Sequence, residues 1–164
     1  MLALTRKTDY AMVALAELAG RGATWASARE IARTTGVSLP VLTNVLHLLV
    51  QNGLVVSSMG AKGGYRLARD PQRISLADVI VAIEGPVHLT TCGAHERPLP
   101  PEQQCGLEPS CRLRKPMQRV QRHVRNMLSQ VTLASLLWEA EPVVLGLVSK
   151  PEGNAGSHVD GMMN

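Results

Sequence analysis

Apolar residues recur at helical spacing through the first third of the chain, and the breaks fall on glycine, serine and proline. Residues 5–20, TRKTDYAMVALAELAG, predict a helix that stops at Gly20, a residue suited to a helix C-terminus. In SAREIARTTG, Ser27 and Glu30 stand three apart in a capping-box pattern and Gly36 closes a second, short helix. A third helix runs through LPVLTNVLHLLVQNG. Ser38 is its N-cap, Pro40 lies in the first turn, where a missing N–H costs little, and Asn52-Gly53 ends it. The period then changes. In LVVSSMGAKGGYRLAR the β-branched pair Val55 and Val56 leads into a glycine-rich turn, and YRLA alternates on the way out, so a β-hairpin is predicted. SLADVIVAIEG returns to helical spacing between Ser75 and Gly85.

Two short helices joined by a tight glycine turn form a helix-turn-helix pattern. A basic hairpin directly behind it makes a winged helix. The expected fold is therefore mainly α with a small β-hairpin wing: a winged helix-turn-helix domain over residues 1–85. Residues 86–115 are rich in proline, lack an apolar period and are too long for an idle connector. From Pro116, Met117, Val120, Val124, Met127 and Val131 step by three and four. That narrow seam predicts a C-terminal dimerisation helix within residues 116–140. Packing of this helix onto the chain's own core is the alternative. Residues 141–164 are polar and glycine-rich and read as a disordered tail.

Composition refines this picture. The chain has 164 residues, 2% aromatic with no phenylalanine, so the core must be built of Leu, Val, Ala, Ile and Met. The net charge is +4, and its distribution matters more than its size. Residues 54–69 carry Lys62, Arg66 and Arg69 with no acid; residues 111–125 carry Arg112, Arg114, Lys115, Arg119, Arg122 and Arg125 with no acid. Two acid-free basic blocks point to a polyanion, and behind a helix-turn-helix to double-stranded DNA. The third helix offers Ser38, Thr43 and Asn44 near its N-terminal end, short polar groups suited to base edges and phosphates. No apolar run approaches the roughly 20 residues of a membrane span, and Asp9 and Glu17 interrupt any signal-peptide pattern. A cytoplasmic protein with reduced thiols is expected. No phosphate-binding loop and no nucleophile elbow occurs, so no enzyme is predicted.

All three cysteines, Cys92, Cys105 and Cys111, fall in the one loop. An odd number excludes a closed set of internal disulfides. Thiolates suit zinc, copper(I) or an iron–sulfur cluster. His95 lies three residues after Cys92, so a Cys3His zinc site is open alongside a cluster, as are three unrelated thiols. A zinc-stabilised DNA-binding protein and a thiol-redox adaptor are accordingly the competing functions.

Several stretches together resemble one family. LTRKTDYAMVALAELA, GVSLPVLTNVLHLLVQNGLV, GAKGGYRLA and ISLADVIVAIEGP, followed by the three-cysteine loop, are similar to the Rrf-two family of bacterial regulators, the group of IscR, NsrR and RirA. The likeness covers about residues 2–138 and is greatest to regulators of the SUF system. It implies a homodimeric winged-helix repressor of a pseudo-palindromic operator, controlled by an iron–sulfur cluster (4Fe–4S favoured, 2Fe–2S as the alternative) that responds to iron, cluster supply, oxidants or nitric oxide. It implies cluster ligation by Cys92, Cys105 and Cys111, with Asp9 of the partner subunit in the place of an NsrR-type fourth ligand. It places DNA contacts at Ser38, Pro40, Thr43 and Asn44 of the third helix and at Lys62, Gly63, Gly64, Tyr65 and Arg66 of the wing. Two positions depart from the pattern. Arg114 stands where IscR-like members carry histidine, and Met59 where members often carry arginine before the wing.

Overall fold

A computed structural model of the chain describes residues 4–60, 62–90 and 110–138. Six helices and one hairpin follow in the order α1 (Arg6–Gly20), α2 (Ala28–Thr35), α3 (Leu39–Gln51), β1 (Val55–Ser58), β2 (Gly64–Leu67), α4 (Leu76–Glu84), α5 (Arg114–Gln130) and α6 (Leu133–Trp138), with a 3-10 turn at Pro71–Arg73. The fold is the mainly helical winged helix expected from the pattern.

Local sequence accounts for most of the ends. The Ser27 hydroxyl accepts the Glu30 N–H while the Glu30 carboxylate accepts the Ser27 N–H, a closed capping box at the start of α2. Ser75 and Asp78 repeat the arrangement on α4. Gly36 ends α2 in the left-handed region at φ +72°. α1 differs slightly from expectation. Gly20 is its last helical residue, and the left-handed turn falls two residues later, at Gly22.

The core has the predicted chemistry. Leu15 and Leu18 of α1, Ile31 of α2, Leu42, Leu46 and Leu49 of α3, and Leu54 and Ile74 beside the hairpin are fully buried in one cluster. β1 and β2 pair antiparallel in the register Val55–Leu67 to Ser58–Gly64. β2 also bridges Ala26, in the linker before α2, on its other edge. The hairpin is thereby fastened to the helix-turn-helix through backbone hydrogen bonds.

α5 packs on α4, and its buried Gln121 is turned to the segment that follows α4. Its amide donates to Val87 O and accepts from Leu89 N–H at 2.8 Å. Of the expected seam, Met117, Val124 and Met127 are half-buried, Val120 is 46% exposed, and Val131 lies buried just past the helix end. There the chain rejoins the body: Leu76 N–H donates to Val131 O at 2.8 Å and Leu133 N–H to Ile74 O at 2.7 Å. Among the described residues no helix is long and apolar enough to cross a membrane. The expected tail over 141–164 lies outside the described residues.

Candidate DNA-binding surface and cysteine site

α3 is split by its own periodicity. Leu42, Val45, Leu46 and Leu49 are buried, and Ser38, Pro40, Thr43, Asn44 and His47 are exposed. Ser38 occupies the N-cap position, yet its hydroxyl makes no cap hydrogen bond. Pro40, the second helical residue, has no N–H to offer it, and the N–H of Val41, the third, makes no cap bond either. The hydroxyl is left turned to solvent with no partner among the described residues. Asn44 is equally unengaged. Thr43 donates its hydroxyl to Leu39 O at 2.8 Å, keeping lone pairs for an outside donor, and His47 pairs with Gln51 at 2.9 Å. An exposed helix start carrying two unengaged polar side chains has the shape and chemistry of a major-groove reader.

The hairpin brings its predicted residues to several different environments. Lys62 is exposed at the tip. Gly63 and Gly64 are required by close packing. A Cβ on Gly63 would lie 2.2 Å from Ser58 O across the turn, and one on Gly64, at φ +148°, 2.5 Å from Ala26 O. The Tyr65 ring packs against the core cluster while its backbone exchanges two hydrogen bonds with Ala26, at 2.8 and 3.0 Å. Arg66 points to the other face of β2, where its guanidinium carbon sits 4.5 Å from the centroid of the Trp25 ring. Its Nε is buried with no hydrogen-bond partner. Sequence reasoning does not single out Trp25. A tryptophan in a chain with only two of them, just ahead of a capping box, is the available signal. Met59, in the place of a family arginine, is fully exposed beside the turn.

Cys92, Cys105 and His95 lie outside the described residues, so their arrangement is not described. Cys111 is a half-buried free thiol. Its carbonyl accepts the Arg114 N–H at 3.3 Å, so the cysteine and the first residue of α5 form one turn. Asp9 is exposed in the first turn of α1. The neighbouring Thr8 is fully buried, and its hydroxyl donates to the Glu84 carboxylate at the end of α4. Thr5 N–H donates to the same carboxylate at 2.8 Å. These two bonds, the Thr8 hydroxyl first, hold the Glu84 carboxyl below the usual carboxylate range. α1 has no side-chain cap of its own, so Glu84 caps it from another helix. The described residues contain no cluster of three metal-capable side chains.

Known proteins agree with this architecture. Residues 4–139 match the family model Rrf2, described as an iron-dependent transcriptional regulator. The HTH-type transcriptional regulator NsrR of Halalkalibacterium halodurans is 31% identical over 149 residues, 90% of this chain and 99% of that one. Among solved structures, the global cysteine regulator CymR of B. subtilis is 30% identical with a TM-score of 0.60, covering 84% of this chain and 97% of its own. T. potens IscR is 29% identical with a TM-score of 0.61, covering 85% and 89%. The NsrR and CymR relatives are regulators rather than enzymes. The chain belongs to the Rrf2 family and is a DNA-binding transcriptional regulator.

Proposed function

We propose that the protein is a homodimeric repressor whose DNA affinity follows the state of an iron–sulfur cluster held by Cys92, Cys105 and Cys111. The observation that carries this reading is the place of Cys111, a free thiol in the turn that starts α5. Thiolates are soft donors matched to iron and sulfide, and a free, half-buried thiol fits such a role. Asp9, exposed on α1, is the proposed fourth ligand, reaching the partner subunit's site; His95 is its rival. When bound, the cluster (4Fe–4S favoured over 2Fe–2S) supplies a centre that responds to oxidants, nitric oxide or iron supply.

The chain's own residues supply the rest. α3 enters the major groove, with Asn44 at base edges and Ser38, Pro40 and Thr43 at the groove wall. The hairpin lays Lys62, Gly63, Gly64, Tyr65 and Arg66 along the phosphates. Dimerisation through α5 and α6 is supported by the apolar surface that they leave uncovered: Val120 is 46%, Leu136 43% and Trp138 59% exposed. The division of labour follows, with DNA reading in residues 1–85, ligation in 86–115 and pairing in 116–140. Two recognition helices on a two-fold axis imply a pseudo-palindrome with half-sites about 34–36 Å apart, or a multiple.

The test is anaerobic purification with iron and sulfide analysis, followed by operator titration of holo and apo protein at one salt concentration. A coupling of roughly 5–150-fold is expected. Equal affinities refute cluster control and leave the DNA binder intact. Likeness to a global cysteine regulator favours a second reading, in which the signal is cysteine supply and no cluster is used. Colourless, iron-free protein from the anaerobic preparation supports that reading.

A further inference from the structure

We infer that Trp25 is a positioning residue for DNA binding, because it holds the Arg66 guanidinium in place before a phosphate arrives. The inference rests on the reading of the hairpin as a wing that lies on the DNA backbone. Trp25 belongs to the linker between α1 and α2, and Arg66 to β2. The Ala26–Tyr65 bridge fixes these two segments side by side. One residue along on each, the guanidinium carbon of Arg66 lies over the indole ring, 4.5 Å from its centroid. The face of an indole is the strongest aromatic partner for a cation.

The state of the guanidinium suggests what the stack is for. Its Nε is buried and makes no hydrogen bond. An arginine free to choose its rotamer would keep that group hydrated, so the ring sets the rotamer. The terminal nitrogens are not among the buried unpartnered atoms and have no protein acceptor among the described residues. No acid among the described residues pairs with them either. The one ion pair among the described residues is Arg21–Glu17, and Glu30, in the nearby first turn of α2, is engaged by Ser27. A long cation in an acid-free stretch normally sweeps a wide volume and loses that freedom on binding. Here the freedom is already restricted, and the open edge of a planar fork, which suits a phosphate, is left available.

The test uses the full chain and a duplex of mixed sequence, because phosphate contacts need no operator. Affinity is measured over a series of salt concentrations for wild type, Trp25→Leu, Trp25→Phe, Arg66→Ala and the Trp25→Leu/Arg66→Ala double variant. Leucine keeps apolar bulk at position 25 but has no π face; phenylalanine keeps one. Trp25→Leu is expected to weaken binding roughly three- to tenfold at low salt and to lower the slope of log affinity against log salt by about one. Arg66→Ala should do the same, and the double variant should be no weaker than Arg66→Ala alone. Trp25→Phe should retain the wild-type slope. A purely structural role, in which the wing loosens as a whole, would cost the Lys62 contact as well and make the double variant weaker than Arg66→Ala. A wild-type slope in Trp25→Leu, or losses that multiply in the double variant, overturns the inference while the wing reading stands. A wild-type slope in Arg66→Ala also overturns the inference, and the wing reading falls with it only if Lys62→Ala keeps the wild-type slope too.

Discussion

Replacing Gly64 by alanine should part the hairpin from the helical body. A Cβ at this position would lie 2.5 Å from the carbonyl oxygen of Ala26 and 2.6 Å from its carbon. Both atoms belong to backbone and cannot rotate away as a flexible side chain would. Relief requires opening the Ala26–Tyr65 bridge, which is held by backbone hydrogen bonds of 2.8 and 3.0 Å. Two such bonds contribute about 1–3 kcal/mol together. A φ of +148° adds strain for any residue with a Cβ, about 1–3 kcal/mol. The expected loss is therefore about 2–6 kcal/mol, a large part of the roughly 5–15 kcal/mol that stabilises a typical domain. Urea unfolding followed by far-ultraviolet circular dichroism reads it directly. Gly36→Ala is the control. Gly36 also has a positive φ, +72°, but a methyl group there would meet no atom within 4 Å, so strain alone should cost about 1–2 kcal/mol. If Gly64→Ala is no more costly than Gly36→Ala, the close approach does not hold the hairpin in place and the argument is wrong.

Asn44→Ala should weaken operator binding and relax base preference at one position of the half-site, by about 1–3 kcal/mol of discrimination. Lys62→Ala should weaken all sequences alike and flatten the salt dependence; competition titrations against substituted operators separate the two. Glu84→Gln should lower stability at neutral pH, and the sign of its pH dependence follows from the lowered carboxyl. The Glu84 contribution is full above the unfolded value of about 4.3 and is lost as pH falls through the lower folded value, so thermal melts of wild type and variant should converge in acid. A gap that widens in acid contradicts the Thr8 and Thr5 contacts as the cause. Asp9→Ala should keep a cluster but change its absorption and its sensitivity to oxidants, while His95→Ala changes neither. The reverse pattern places all ligands in one chain.

What can be read in the sequence is decided by separation along the chain. Ser27 with Glu30 and Ser75 with Asp78 place both partners within one turn, so the capping boxes are visible as patterns. The hairpin announces itself by a change of period and a glycine run. Ser38 shows the limit of a one-residue rule. Its position as N-cap is correct, yet its hydroxyl makes no cap bond, whereas the Ser27 and Ser75 hydroxyls both accept the third helical N–H. Longer-range partners leave no trace. Gln121 reads as a polar residue between apolar seam positions, yet it is buried because Val87 and Leu89, more than thirty residues away, satisfy its amide. Glu84 reads as an ordinary helix-end acid, and Thr8 as an ordinary first-turn threonine, until the fold brings α1 against α4. Trp25 has no periodic pattern to mark it, since its partner lies on a strand that pairs with the linker only in the folded chain.

If the cysteines hold the proposed sensing group, the same long-range contacts offer a route from it to the DNA-binding helices. Gln121 of α5 grips the chain just after α4, at Val87 and Leu89, where the cysteine loop departs. The loop returns at Cys111, whose carbonyl accepts the first N–H of α5. One helix thus holds both ends of the loop. Its far end is tied to the body by the Val131–Leu76 and Leu133–Ile74 hydrogen bonds, at the residue that opens α4 and the strand-like segment ahead of it. α4 in turn caps α1 through Glu84, whose partner Thr8 is the residue before Asp9. Drawing Cys92 and Cys105 towards Cys111 would therefore pull on α5 at its start. The load would pass through Gln121 to the segment that follows α4, and from α4 to α1 through Glu84. In the proposed dimer, where packed helices shift as rigid units, the response would be a change in how the two protomers present α3 to a two-fold operator. Gln121→Leu tests this route. It keeps the bulk and removes both hydrogen bonds, so it should reduce the difference between holo and apo affinities while leaving the salt slope of each unchanged. An undiminished difference would mean that the load travels another way.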